Sequence, residues 1–168
     1  MNKWLNNVPA AIREDFVNAV NYYSELLDIE PIWLLGVMYF ESRLNPAAVN
    51  PVSGATGLIQ FMPDTAKQLG TTTEQLKAMN AYEQMTYVYK YLRPYAGRMH
   101  SLVDVYFAVF FPAAIGASRD TVLQTSKLTA ATIAKQNAIF DANKDGALTV
   151  GEVSDYIENY IGIKKKKH

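Results

Sequence analysis

A chain of 168 residues, 49% hydrophobic and 19% charged, has the composition of a folded globular protein. It has no cysteine and only two histidines, His100 and His168, which excludes disulfides and thiolate chemistry and argues against a zinc centre. Sixteen basic residues balance sixteen acidic ones. With no basic stripe and no phosphate-binding glycine loop, nucleic acid is not an expected partner.

In chain order the pattern predicts helices throughout. The N-terminal stretch through Asp15 lacks the apolar core of a signal peptide, so none is expected. Val8 to Leu27 reads as a helix with Pro9 near its start. Pro31, well suited to a first helical position, opens a second that runs to Leu44. Short helices follow over Thr65–Leu69 and Thr73–Met79. Asn80, with Glu83 three residues on, opens a helix to about Tyr95, and Ser101 with Asp104 opens one to Phe111. Gly116 to Lys127 reads as a linker. Helical patterns over Ala130–Phe140 and Val153–Ile161 flank an Asp/Asn/Gly-rich segment. No strand alternation and no internal repeat is present, so the fold class is all-α. The longest apolar run, Ile32 to Phe40, is too short to span a membrane. Lys164 to Lys167 form a basic tail, expected to be solvated.

Two segments carry chemistry. Trp33, Val37 and Glu41 share one face of the second helix. A carboxylate on an apolar stripe is desolvated, which raises its pKa. An acid protonated near neutral pH can protonate a leaving glycosidic oxygen. Asn45-Pro46 stops the helix, and Asn50-Pro51 and Ser53-Gly54 force tight turns. Gly57 then lets backbone approach a ligand, and Gln60 presents an amide.

The second segment, Asp141 to Glu152, fits the EF-hand calcium loop. Side-chain oxygens fall at Asp141, Asn143 and Asp145, and Gly146 makes the sharp turn. Ala147 offers its backbone carbonyl, Thr149 can hold a water and Glu152 supplies a bidentate carboxylate. Leu148 is expected to face the core. One such loop suggests a structural staple, since calcium sensors usually pair theirs.

The order Glu41-Ser42, Asn45-Pro46, Ser53-Gly54-Ala55, Gly57-Leu58-Ile59-Gln60, Met62-Pro63 and Thr65-Ala66 resembles the catalytic core of lytic transglycosylases and goose-type lysozymes. These enzymes cut the glycan strands of bacterial peptidoglycan. The resemblance is close from Glu41 to Leu69 and looser from Pro31 to Gly116. It implies a lysozyme-like helical domain over 1–116, a segment over 117–163 built as helix, calcium loop and helix, and a tail over 164–168. It implies Glu41 as the single catalytic acid/base, Gln60 as a sugar contact and Met62 as a lining residue of the cleft. Asn50 or Ser53 takes the place of a substrate-binding serine. The Ala-Tyr-Asn-Ala-Gly segment usual in cellular members is altered here, with Phe111-Pro112 in place of Tyr-Asn. Tyr106 would then supply the hydroxyl. This variant looks like bacteriophage-type modules.

The implied reaction cleaves the β-1,4 bond after N-acetylmuramic acid and gives a 1,6-anhydro product. The alternatives are a hydrolytic muramidase on the same fold, for which Asp64 and Asp104 are the available second acids, and a non-catalytic, calcium-stabilised wall-binding module. Calcium is expected as a structural ion, and the chemistry needs no cofactor. The expected partner is peptidoglycan, the expected state a monomer. Without a signal peptide, the enzyme would reach the wall on a phage particle or at lysis.

Overall fold

The computed structural model describes residues 2–163. The basic tail therefore lies outside the described residues. Helix accounts for 59% of the chain, and no strand forms among the described residues. The fold is all-α and lysozyme-like, as expected. The chain divides into two compact units, one ending at Val105 and one beginning at Tyr106. The join lies within a helix, upstream of the 116 boundary drawn from the sequence.

The first unit begins with a 3-10 turn, Lys3–Asn7, capped by the Asn2 side chain. Helix α1 (Ala10–Leu27) follows. It buries Phe16, Ala19, Val20, Ser24 and Leu27, a stripe at helical spacing. It packs on α2 (Pro31–Ser42) and α5 (Ala81–Leu92). Tyr23 of α1 stacks on Tyr89 of α5 at 5.0 Å, and its hydroxyl lies 3.2 Å from Thr86 Oγ1. The short α3 (Pro63–Gln68) and α4 (Thr73–Ala78) carry the chain from the loop to α5. Asn80 and Glu83 form the expected capping box of α5, worth about 1 kcal/mol. Pro94 removes a helical donor, and the chain leaves α5 through a 3-10 turn, Arg93–Tyr95.

Helix α2 stops two residues short of Leu44. Arg43 (φ 56°) and Leu44 (φ 62°) are both left-handed, a conformation costing roughly 1–2 kcal/mol per non-glycine residue. One local contact and two tertiary ones hold them there. Leu44 is fully buried, the Arg43 guanidinium lies over the Tyr39 ring at 5.1 Å, and Asn7 Nδ2 donates to the Arg43 carbonyl.

Helix α6 (Leu102–Phe110) crosses the join between the units. Beyond it the second unit holds a 3-10 turn, Pro112–Ala114, then α7 (Ala130–Gln136), a further 3-10 turn, Ala138–Phe140, and α8 (Val150–Ile161). The expected Ala130–Phe140 helix is thus broken at Asn137, whose side chain bonds back to the Ile133 carbonyl. The Gly116–Lys127 segment is not a bare linker. Leu123 N–H donates to Leu148 O at 2.8 Å and Val150 N–H to Thr121 O at 2.9 Å, which makes an antiparallel bridge. Leu148 is fully buried, as its loop position predicts.

One buried amide organises the first unit. Gln84 of α5 is 0% exposed. Its Nε2 donates to the carbonyls of Pro46 and Leu76, both at 2.7 Å, and its Oε1 accepts from Leu58 N–H at 3.0 Å. Replacing Gln84 with Leu would leave three backbone groups without this partner. Gln84→Leu is expected to lower stability by about 2–4 kcal/mol in urea unfolding; a loss under about 0.5 kcal/mol would mean the loop satisfies itself without the amide.

Candidate functional site

Glu41 lies in the last turn of α2. The residue is half-buried, and desolvation pushes its pKa up from 4.5 to about 7. The negative end of the helix dipole disfavours the ionised form in the same direction. Val37, one turn back on the same face, is 1% exposed, and Trp33, a further turn back, is half-buried.

The neighbouring Ser42 is a clamp. Its buried hydroxyl donates between the Met38 carbonyl at 3.0 Å and the Leu58 carbonyl at 2.9 Å. The end of α2 is thereby tied to the Gly57–Gln60 turn. Gly57 sits at φ +91°, and a Cβ there would meet Gln84 Oε1 at 2.6 Å. Only glycine fits both constraints. Gln60 is also left-handed, at φ 56°. Its Nε2 donates to Ala48 O at 3.2 Å and Gly57 O at 3.0 Å. With both amide hydrogens engaged in the loop, a sugar contact from Gln60 would use Oε1.

Asn50 and Ser53 are exposed, and their side chains shape the loop that carries them. Asn50 Oδ1 accepts from Val52 N–H and Ser53 N–H, and Ser53 Oγ accepts from Ala55 N–H. Thr56 bridges to both Val49 and Phe61, which folds the loop into a compact double turn. Met62, at the N-cap of α3, is 47% exposed and offers an apolar surface. Asp64 is exposed in the first turn of α3, where a carboxylate suits the helix dipole. Asp104 accepts a hydrogen bond from His100 N–H, the plain capping role expected of it.

Tyr91 of α5 was not singled out by sequence reasoning. Its pKa is raised to about 12, by burial first and then by the Tyr95 and Glu41 charges. The Glu41 carboxylate is therefore felt at this phenol. The Phe61 ring stands edge-on to Tyr91 at 6.4 Å. Five tyrosines in α5 and its 3-10 extension hide this one from a pattern search. Gln84 had a visible signal: it is a polar residue on the apolar stripe of Ala81, Met85, Val88 and Leu92.

In the second unit Tyr106 is 4% exposed and packs against Phe107, Phe110 and Phe140. Carboxylate oxygens of Asp141, Asp145 and Glu152 lie within 4.8 Å of one another. Around them the loop is wound on its own donors. Asp141 Oδ2 accepts from Gly146 N–H, and Asp145 Oδ1 from Ala147 N–H. Asn143 bonds Asp145 through both its Oδ1 and its Nδ2. Glu152 closes a capping box with Thr149 through Oε1, while its Oε2 accepts from Ala142 N–H. Asp141 Oδ1 is buried without a hydrogen-bond partner. A buried unsatisfied acceptor costs about 1–3 kcal/mol, which a cation would recover. The all-oxygen donor set suits a hard cation such as calcium.

The family model described as the transglycosylase SLT domain matches residues 18–110. No curated protein and no solved structure matches the chain.

The Glu41 shift has a sign that can be tested. As pH rises, the unfolded chain ionises at 4.5 while the folded carboxyl stays neutral until about 7. Folding stability therefore falls across that window and then levels off. Glu41→Gln, which mimics the neutral acid, is expected to exceed the wild type by on the order of 1–3 kcal/mol at about pH 8 and to match it near pH 4. Urea unfolding at both pH values checks this; a pH-independent difference would refute a pKa raised by burial.

Proposed function

Because the chain belongs to the transglycosylase SLT family, whose substrate is peptidoglycan, we propose that it is a lytic transglycosylase with Glu41 as its single acid/base. The observation that carries this reading is a carboxylate with a pKa of about 7, beside a loop clamped to its own helix by Ser42. Near neutral pH such a group can both give and take a proton.

In the proposed reaction Glu41 protonates the bridging oxygen, and the bond from the muramic acid C1 to that oxygen breaks. The substrate's acetamido group stabilises the oxocarbenium-like centre, so no protein nucleophile is required. The ionised Glu41 then takes the proton of the muramic acid 6-hydroxyl. Its oxygen bonds to C1 and closes the 1,6-anhydro ring. Proton count and charge balance, and Glu41 ends as it began. Gln60, Met62, and Asn50 or Ser53 are the proposed sugar contacts. The catalytic module is assigned to 1–116, and the chain is read as a monomer. The Phe111-Pro112 departure favours a phage-borne enzyme that meets the wall on a virion or at lysis. No helix among the described residues is long and apolar enough to cross a membrane.

Within 117–163 we assign Asp141, Asn143, Asp145, Ala147, Thr149 and Glu152 as a calcium site. The partnerless Asp141 Oδ1 supports it. Calcium has no part in the bond-breaking chemistry.

Mass spectrometry of soluble products from purified peptidoglycan tests the reaction. Anhydro-muropeptides are expected from the wild type, with Glu41→Gln slowed by at least about 10²-fold. Reducing-end products would make the enzyme a muramidase, and equal activity in both proteins would remove Glu41 from the mechanism. Calcium at roughly ten times its Kd is expected to stabilise the fold by about 1.4 kcal/mol, or a few degrees in Tm. An unchanged melting curve up to about 10 mM calcium, well above the weak extracellular range, would reject the site.

A further inference from the structure

The turn between α1 and α2 carries a recess that the glycan-cutting reaction does not use. Ser24, Glu25, Asp28, Ile29, Glu30 and Trp33 line a cavity of about 220 Å³. Resting on the wall-cutting reading above, we propose that this cavity takes the side-chain ammonium group of a lysine-type stem peptide of peptidoglycan. It would thereby distinguish free stems from cross-linked ones.

Three of the six lining residues are acids and none is basic. Glu25, Asp28 and Glu30 are exposed, and no ion pair reaches any of them among the described residues. Glu30 is the N-cap residue of α2, yet its side chain makes no capping bond. Asp28 caps the other helix, with its N–H turned back onto the Glu25 and Ser24 carbonyls. The negative end of the 18-residue α1 therefore adds to the three carboxylates.

A second observation is independent of charge. Ser24 is 0% exposed, and its Oγ has no hydrogen-bond partner. A buried serine inside a helix can bond back to the carbonyl four residues earlier, as Ser42 and Ser154 do. Ser24 does not, which leaves an unused acceptor at the base of an acidic recess. An N–H donor that reaches it recovers the cost of that burial.

The shape selects the kind of cation. Among the described residues, only Asp141, Asp145 and Glu152 bring three ligand atoms within 4.8 Å of one another. The Glu25, Asp28 and Glu30 carboxylates are spread too widely for one metal ion. The half-buried Trp33 offers an indole, whose face attracts an ammonium group. The cavity is smaller than the roughly 300–1,000 Å³ of pockets for drug-sized ligands, so it suits an aminoalkyl chain and not a disaccharide. Trp33 precedes Glu41 by about 12 Å along α2. A three-residue stem spans up to about 10 Å before its last side chain is counted, which puts its amine in range of the cavity. Cross-linking turns that amine into an amide and removes its charge. A diaminopimelate stem carries a carboxylate beside the amine, which the three acids repel.

The test titrates the full chain by calorimetry with the L-Ala-γ-D-Glu-L-Lys tripeptide, its Nε-acetyl form and its diaminopimelate counterpart. The lysine peptide is expected to bind about tenfold more tightly than either of the others. Glu25→Gln combined with Glu30→Gln, at two exposed positions, should keep Tm and erase the preference. Ser24→Ala should weaken the lysine peptide about threefold without lowering Tm. Equal binding of the free and acetylated peptides, no binding, or a preference that survives in the double variant would overturn the proposal. Muropeptide release is then measured from lysine-type peptidoglycan before and after acetylation of its free amines. The double variant should raise KM on the untreated wall only. Digestion with no preference for free amines in wall or peptide would overturn the pocket and leave the enzyme. A peptide preference in a chain that releases no muropeptides would uphold the pocket and remove the reaction.

Discussion

The buried amide of Gln84 is the constraint on which the first unit turns. A side chain with two donors and one acceptor is placed where three separate backbone stretches, at Pro46, Leu58 and Leu76, each need one hydrogen bond. Burying such a group without partners would be costly, and with all three it fixes a unique arrangement. The rest follows from that anchor. Position 57 must be glycine because the Gln84 oxygen occupies the space of a Cβ. Leu58, held by its N–H, turns its carbonyl to Ser42, and Ser42 fixes the end of the helix that carries Glu41.

Glu41 gains its altered acidity from the same economy of packing. Its helix buries the apolar run from Leu34 to Met38, which draws the carboxyl at its end away from water. The loop that follows then keeps its polar groups largely to itself. Asn50, Ser53 and Thr56 satisfy neighbouring backbone. Residues read from the sequence as sugar contacts are thus also the struts of their own loop. A ligand would meet a surface already held in place, at lower ordering cost.

The helices and the Asn80 capping box were legible because each depends on residues close in sequence. The stop of α2 was misplaced because Arg43 and Leu44 adopt left-handed backbone without being glycine. Beside the local Tyr39 contact, what holds them there, the Asn7 hydrogen bond and the burial of Leu44, is tertiary. Thr121 to Leu123 looked like linker because its pairing partner lies more than twenty residues on, at Leu148 to Val150. Tyr91 carries no local signal, since one more tyrosine stands out in neither pattern nor composition, and Ser42, visible in the Glu41-Ser42 pair, gave no sign of its bond to Leu58 sixteen residues on. The raised pKa of Glu41 was legible because an acid ending a long apolar run conflicts with its surroundings, and such conflicts survive in the bare sequence.

The bridge between Val122 and Thr149 also sets where the chain can be cut. Arg119, Thr121 and Leu123 do for this loop what a neighbouring hand would otherwise do, and they precede it in the chain. A fragment that starts at the obvious helix, Ala130, would carry the whole Asp141–Glu152 loop and lack the segment that braces it. Any transplant or fusion of the loop must therefore begin upstream of Arg119, so the inheritable block is longer than the motif that advertises it.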